Sequence, residues 1–235
     1  GMGQFKHIVR RNVDMVYIIE NNGVYGLTKG QFSATAEVGL ELKKQGINQY
    51  MPIDICMEAI ASNATFVARS FAGDPKQVKE LIKAALAHKG IAVLDIISPC
   101  VTFNNQDNAY HSYAWGKDHE EPLHEISYIA PRTEIILERE MEEGEIREGA
   151  MHDGSIVILK NLEKGYDPAN RYEALRVMEE SQQNNWLVTG LLYINTTKPN
   201  LTNIYNLVDT PLNRLTEVDL RPEQGMIGKI NALMF

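Results

Sequence analysis

Positive charge is scarce in this chain. Its 235 residues carry 23 Lys and Arg against 31 Asp and Glu, a net charge of -8 with a pI near 5.3. No basic patch of the kind that grips a phosphate backbone stands out, which argues against a nucleic-acid partner. Cysteine is scarcer still. Cys56 and Cys100 are too few for a disulfide framework and fit a reducing compartment, so the expected location is cytoplasmic. Long apolar runs are missing too: none approaches the ~20 residues of a membrane span, and no membrane partner is expected. The amino terminus lacks the basic region and apolar stretch of a secretory signal. No internal repeat or low-complexity segment breaks the pattern. What remains is a composition with 44% hydrophobic and 23% charged residues, ordinary for a globular protein. The length allows one large domain, or one domain with a substantial appendage.

Periodicity divides the chain into alternating elements. Phe5, Ile8 and Val9 recur at helical spacing over residues 4–11, with Arg10 and Arg11 at the end that suits positive charge and Asn12 as the stop. His7 on this helix reads as a surface residue rather than an acid-base group. Residues 14–19 read as a strand, and residues 32–48, polar and without sustained period, as irregular and mobile. Asp54 can cap a helix over 55–62, in which Cys56 is a small buried hydrophobe. A strand follows at 65–70. Asp74-Pro75 opens a further helix carrying Val78, Leu81, Ile82, Ala85 and Leu86, which Gly90 ends. Residues 91–97 read as an apolar run, as in a parallel strand covered on both faces. Strand, helix, strand, helix and strand in this order imply right-handed crossovers and a doubly wound, mainly parallel α/β sheet.

The carboxyl-terminal half is less regular. His111, His119 and His124 with nearby carboxylates suggest zinc, but their spacing matches no tight signature, and solvated loop histidines are the expectation. The acidic run 138–148 reads as a solvent-facing helix or arm, and His152-Asp153-Gly154 as a turn into a strand at 156–160. Asp167-Pro168 should cap a helix bearing Tyr172, Leu175 and Met178, followed by a strand at 186–194. The tail 196–235, with Pro199, Pro211 and Pro222, is expected to wrap a surface, which could be a subunit interface.

The chain is organised around residues 20–31, Glu-Asn-Asn-Gly-Val-Tyr-Gly-Leu-Thr-Lys-Gly-Gln. A buried strand that ends in a polar loop is where open α/β sheets place ligands. Asn21 and Asn22 offer amide oxygens suited to a hard divalent cation such as Mg²⁺, Thr28 a hydroxyl and Lys29 a positive charge. Gly23, Gly26 and Gly30 would let backbone approach a ligand. The competing reading is an Asn-Gly turn between two hairpin strands. It is disfavoured because the residues after Gly23 do not alternate and hold too many glycines to pair well. Ser98-Pro99-Cys100 falls at the carboxyl end of another parallel strand, and so on the same edge of the sheet.

Asn21-Asn22, the string from Val24 to Gln31, Ser98-Pro99-Cys100 and Leu207-Val208-Asp209-Thr210-Pro211-Leu212 together resemble the β subunit of the 2-oxoacid:ferredoxin oxidoreductases, most closely the 2-oxoglutarate branch. The resemblance implies the thiamine diphosphate-binding fold. Residues 1–110 would then be the carboxyl-terminal portion of the cofactor domain, and 111–235 an extension packing on that domain and a partner subunit. It implies that Asn22, through its side chain, and Val24, through its carbonyl, hold Mg²⁺, that Gly26, Leu27 and Thr28 line the cofactor diphosphate, and that Lys29 meets coenzyme A or the partner. Cys100 would be one ligand of a 4Fe-4S cluster. The expected partners are an α subunit, ferredoxin, coenzyme A and a 2-oxoacid, converted oxidatively to its acyl-CoA. The family's Gly-Asp-Gly motif and three further cluster cysteines are missing here. Gly1 before Met2 looks like the remnant of a cleaved tag, so the expectation is a late start or a fragment, inactive alone. The rival readings are a non-catalytic interaction module that binds no cofactor and, ranked last, a binder of another nucleotide.

Overall fold

The computed structural model describes residues 1–129, 146–150, 156–161, 166–221 and 225–234. Two compact units are present, Gly1–Leu201 and Thr202–Phe235. The first is built on a five-stranded sheet of β1 (Met15–Asn21), β2 (Phe66–Phe71), β3 (Ile91–Ile97), β4 (Glu120–Pro122) and β5 (Leu187–Ile194), in the order β1-β3-β2-β5-β4. β3 pairs parallel with both β1 and β2, and β5 pairs antiparallel with β2 and parallel with β4. The expected mainly parallel α/β sheet is therefore present. It draws strands from both sides of residue 110.

The middle strands are mostly apolar because both faces are covered. β2 buries every residue and β3 all but one. Alternate residues feed two cores. Val67, Ile91 and Val93 pack with Phe5 and Val9 of α1 (Met2–Arg11), Cys56 and Ile60 of α2 (Ile55–Ala61), and Met178. Phe66, Ala68, Ala92 and Leu94 pack on the opposite face with Leu81 and Ala84 of α3 (Pro75–Ala87). Both predicted Asp caps are made: Asp54 accepts from the Met57 N–H at 2.9 Å and Asp74 from the Gln77 N–H at 3.1 Å. Asn12 ends α1 in the left-handed conformation at φ 49°. Its buried side-chain oxygen then accepts from the Ile91 N–H and the Thr65 hydroxyl, tying the helix end to β3.

Several sequence expectations are corrected. Residues 32–48 are not simply irregular: Glu41–Leu42 pairs with Gly46–Ile47, and Val24, Ala36, Leu40 and Leu42 form a small core. Asn48, buried, donates to the Ala36 and Glu37 carbonyls and pins the segment. α4 (Tyr113–His119) is capped by Ser112, and α5 (Arg171–Asn184) starts later than expected. Asp167 accepts from the Ala169 N–H in a local turn, while Asn170 caps the Tyr172 and Glu173 N–H groups. Ala174, Met178 and Ser181 face inward and Tyr172 is exposed. Ile146–Ala150, the end of the acidic run, is a strand in an antiparallel sheet with His124–Ile129 and Ile156–Asn161 rather than a helix or arm. The rest of the acidic run, and His152-Asp153-Gly154, lie outside the described residues.

In the second unit, the helices Glu217–Leu220 and Met226–Met234 bury no residue, and Val218, Ile227 and Ile230 are exposed.

Candidate functional site

The site lies where β1 and β3 end. Their parallel register sets Asn21 beside Ile97, and the Ser98 N–H continues the pairing to the Asn21 carbonyl at 2.9 Å. The two loaded loops therefore leave the sheet side by side. After Gly23, Val24–Tyr25 pairs antiparallel with Gln31–Phe32, so the glycine-rich string does form a small hairpin, contrary to expectation. Its turn is not Asn-Gly. Residues 26–30 make it, with Lys29 and Gly30 at φ 75° and 88°, a conformation Gly adopts without a steric penalty. Asn22 instead makes an Asx turn, its side-chain oxygen accepting from the Val24 N–H at 3.2 Å.

Asn22, Val24, Gly26 and Cys100 are brought together. Asn104 donates from Nδ2 to the Asn22 carbonyl at 3.0 Å, and its own N–H bonds the Cys100 carbonyl at 2.7 Å. A Cβ on Gly26 would lie 3.4 Å from the Cys100 sulfur. Leu27, Thr28 and Lys29 project at the exposed hairpin tip, Leu27 at 99% exposure. Thr28 is turned back on the Tyr25 carbonyl and Gln31.

Sequence reasoning missed the polar network beneath this loop. Asn21 donates to Asp95 at 3.0 Å and accepts from the Thr35 hydroxyl at 2.7 Å, with the His111 Nε2 at 3.3 Å. Asp95 in turn meets Arg69, which also bonds Asp54. His111 Nδ1 faces Glu37 at 3.1 Å. A cavity of about 330 Å³ opens on this network, lined by Asn21, Glu37, Asp54, Arg69, His111 and Trp186. Burial pushes the Asp95 carboxyl up, and the Asp54 charge adds to this, against the pull of Arg69 and Asn21. Burial would lower the Arg69 guanidinium, but the carboxylates around it hold it well above its ordinary value. Burial would also raise the Glu37 carboxyl, but the hydrogen bond and charge of His111 outweigh it, leaving it below the usual range. The signal was present: an Arg and an Asp inside apolar strands have to meet partners, because an unpaired buried charge is very costly.

The three histidines do not converge, and among the described residues no group of three or more His, Cys, Asp and Glu is placed to hold a metal. Nor are they all solvated. His111 and His124 are 1% exposed. His124 accepts from the Leu191 N–H at 2.9 Å, and burial lowers its pKa to about 4. His119 stacks on Trp115.

The donor set accords with a diphosphate held through a hard cation: a neutral amide oxygen, main-chain carbonyls, a hydroxyl and an exposed ammonium share one loop. It does not accord with an iron-sulfur cluster carried by this chain alone. Such clusters need several thiolates. Cys56 is fully buried in the core, where burial drives its thiol pKa up, leaving Cys100, which is half-buried.

Comparison with known proteins gives a concordant picture. Residues 1–96 match the thiamine pyrophosphate enzyme family, C-terminal TPP binding domain. The 2-oxoacid:ferredoxin oxidoreductase subunit beta of Saccharolobus solfataricus is 50% identical over 109 residues, 45% of this chain and 35% of that protein. Subunit beta of 2-oxoacid:ferredoxin oxidoreductase 1 of Aeropyrum pernix is 44% identical over 106 residues, 45% of this chain and 33% of that one. The 2-oxoglutarate oxidoreductase subunit KorB of Mycobacterium tuberculosis is 37% identical over 100 residues, 42% and 27% of the two chains. The matched stretch thus spans about a third of the length of these curated relatives, which are enzyme subunits. Among solved structures, the 2-oxoglutarate:ferredoxin oxidoreductase from Magnetococcus marinus, with 2-oxoglutarate, coenzyme A and succinyl-CoA bound, shares the fold. Its TM-score is 0.63 at 24% identity, over 98% of this chain and 62% of that chain. The sequence relatives thus support the resemblance over less than half of this chain, and the solved structure shares its α/β fold.

Proposed function

We propose that this chain supplies the metal-and-diphosphate half of a thiamine diphosphate site in the β subunit of a 2-oxoacid:ferredoxin oxidoreductase, of the 2-oxoglutarate branch. One observation carries the reading: the Asn22 loop and the Cys100 turn leave adjacent parallel strands and are bonded to each other through Asn104. Asn22 contributes its side-chain oxygen and Val24 its carbonyl to Mg²⁺. Gly26, Leu27 and Thr28 line the diphosphate, and Lys29, exposed at the hairpin tip, meets coenzyme A or the α subunit. When bound, thiamine diphosphate supplies the carbanion chemistry that decarboxylates a 2-oxoacid. The chain's own contribution is placement. Asn21, held by Asp95 and Thr35, anchors the loop at the sheet edge, which restrains it before a ligand binds.

Cys100 would be one thiolate of a 4Fe-4S cluster whose other ligands come from outside this chain's two cysteines; such a cluster would supply one-electron transfer. Residues 1–110 carry the cofactor loop, and the remainder, beyond the two strands it adds to the same sheet, meets the α subunit. Activity requires the heteromer, in the cytoplasm, and the chain alone is inactive. Calorimetry with thiamine diphosphate in MgCl₂ tests the reading. Micromolar binding is expected, weakened at least tenfold in Asn22→Ala, with no response to adenine nucleotides. No binding by the unaltered chain would instead favour a non-catalytic interaction module.

A further inference from the structure

The loop glycines are filled from within the protein. A Cβ on Gly23 would lie 2.8 Å from the His111 ring and 3.0 Å from Asn104 Nδ2, and one on Gly30 would lie 2.9 Å from the Phe103 ring. All three distances are tight, and the two under 3 Å are ones packed side chains do not show, so these positions need glycine for His111 and Phe103 to fit. Gly26, whose added Cβ would meet only the Cys100 sulfur at ordinary contact distance, differs from them. The expectation that all three glycines make room for a ligand is therefore replaced. Two of them make room for the segment that follows Cys100.

We propose that Asn104 and His111 are positioning residues, and that they set the shape of the Asn22–Val24 backbone from the neighbouring strand end. Asn104 is fully buried and holds the Asn22 carbonyl. Among the described residues its buried side-chain oxygen has no hydrogen-bond partner, which is costly to stability. His111 lies between the Asn21 oxygen on one side and Glu37 on the other, with its ring edge against Gly23. It thus touches the residue before Asn22 and the residue after it. The segment reaches the loop from residues about 80 positions later in sequence, as the 82-residue separation of Asn104 from Asn22 shows. The role as it concerns cofactor rests on the function proposed above.

Hydrogen exchange on the full chain without ligand tests the clamp directly. The Val24 and Ser33 amides, which donate to the Asn22 side chain and the Gly23 carbonyl, report on the loop, and amides of the β2–β3 ladder serve as the control. Asn104→Ala and His111→Ala should speed exchange at Val24 and Ser33 at least tenfold and leave the ladder unchanged. His111→Gln, which keeps an N–H donor, should restore most of the protection. Gly23→Ala should mimic the effect by pressing on the same ring, and adding His111→Ala should recover part of it; this pair decides the matter if a single His111 or Asn104 variant does not fold. In parallel, the dissociation constant of thiamine diphosphate with Mg²⁺ should rise at least tenfold in Asn104→Ala. Unchanged exchange at the two loop amides, or equal acceleration throughout the sheet, would overturn the clamp. Failure of the unaltered chain to bind thiamine diphosphate would overturn the proposed function and leave the exchange result to judge the clamp.

Discussion

The Arg69 guanidinium lies 3.0 Å from the Asp95 carboxylate directly across from it on the neighbouring strand, with 4% and 0% of the two side chains exposed. Breaking a buried pair is more damaging than never having it, because the remaining charge keeps its desolvation penalty. Arg69→Met should therefore destabilise the chain by about 3–5 kcal/mol in urea unfolding. Combining it with Asp95→Asn should recover more than half of that loss, since no charge then stays unpaired at Asp95. A double variant no more stable than Arg69→Met would show that packing, not charge, dominates the site.

The two Asp caps separate a helix effect from an ion-pair effect. Asp74 caps α3 through the Gln77 N–H, whereas Asp54 caps α2 and also bonds Arg69 at 2.9 Å. Asp74→Ala should cost about 1 kcal/mol, as lost caps do. Asp54→Ala should cost at least about 1 kcal/mol more, because Arg69 also loses a partner. Equal unfolding midpoints for the two variants would contradict this.

His124 makes stability depend on acid. Its Nε2 accepts from the Leu191 N–H only when unprotonated, and burial lowers its pKa from 6.5 to about 4. Between those values the unfolded chain binds the proton and the folded chain does not. The stability conferred by the neutral ring is thus complete above about pH 6.5 and falls as pH drops towards 4, by about 3 kcal/mol in all. His124→Gln cannot titrate in this window, so its urea midpoint should fall less than that of the unaltered chain between pH 7 and 4.5.

The two thiols should react very differently. Cys56 is fully buried and its thiol pKa is pushed up by burial, while Cys100 is half-buried beside Gly26 at the loop edge. A maleimide should label Cys100 in the native chain and reach Cys56 only after denaturation. Mass spectrometry that found rapid native labelling at Cys56 would show that α2 opens locally.

Signals between neighbouring residues set the local elements and the edge on which the site lies. Periodicity, Asp54 and Asp74 as caps, and the apolar run 91–97 are local signals, and a parallel order of strands leaves their carboxyl ends together whatever the side chains do. Tertiary structure decided what no window of neighbours contains. Asn21, Asp95 and Arg69 form one network because three strands lie side by side. His111 is buried because residues some ninety positions earlier curl over it. The space that a Cβ would take at Gly23 and Gly30 is filled by His111 and Phe103 rather than left for a ligand. A glycine signals a left-handed backbone or a place where a Cβ would clash; the chain's fold determines what stands there.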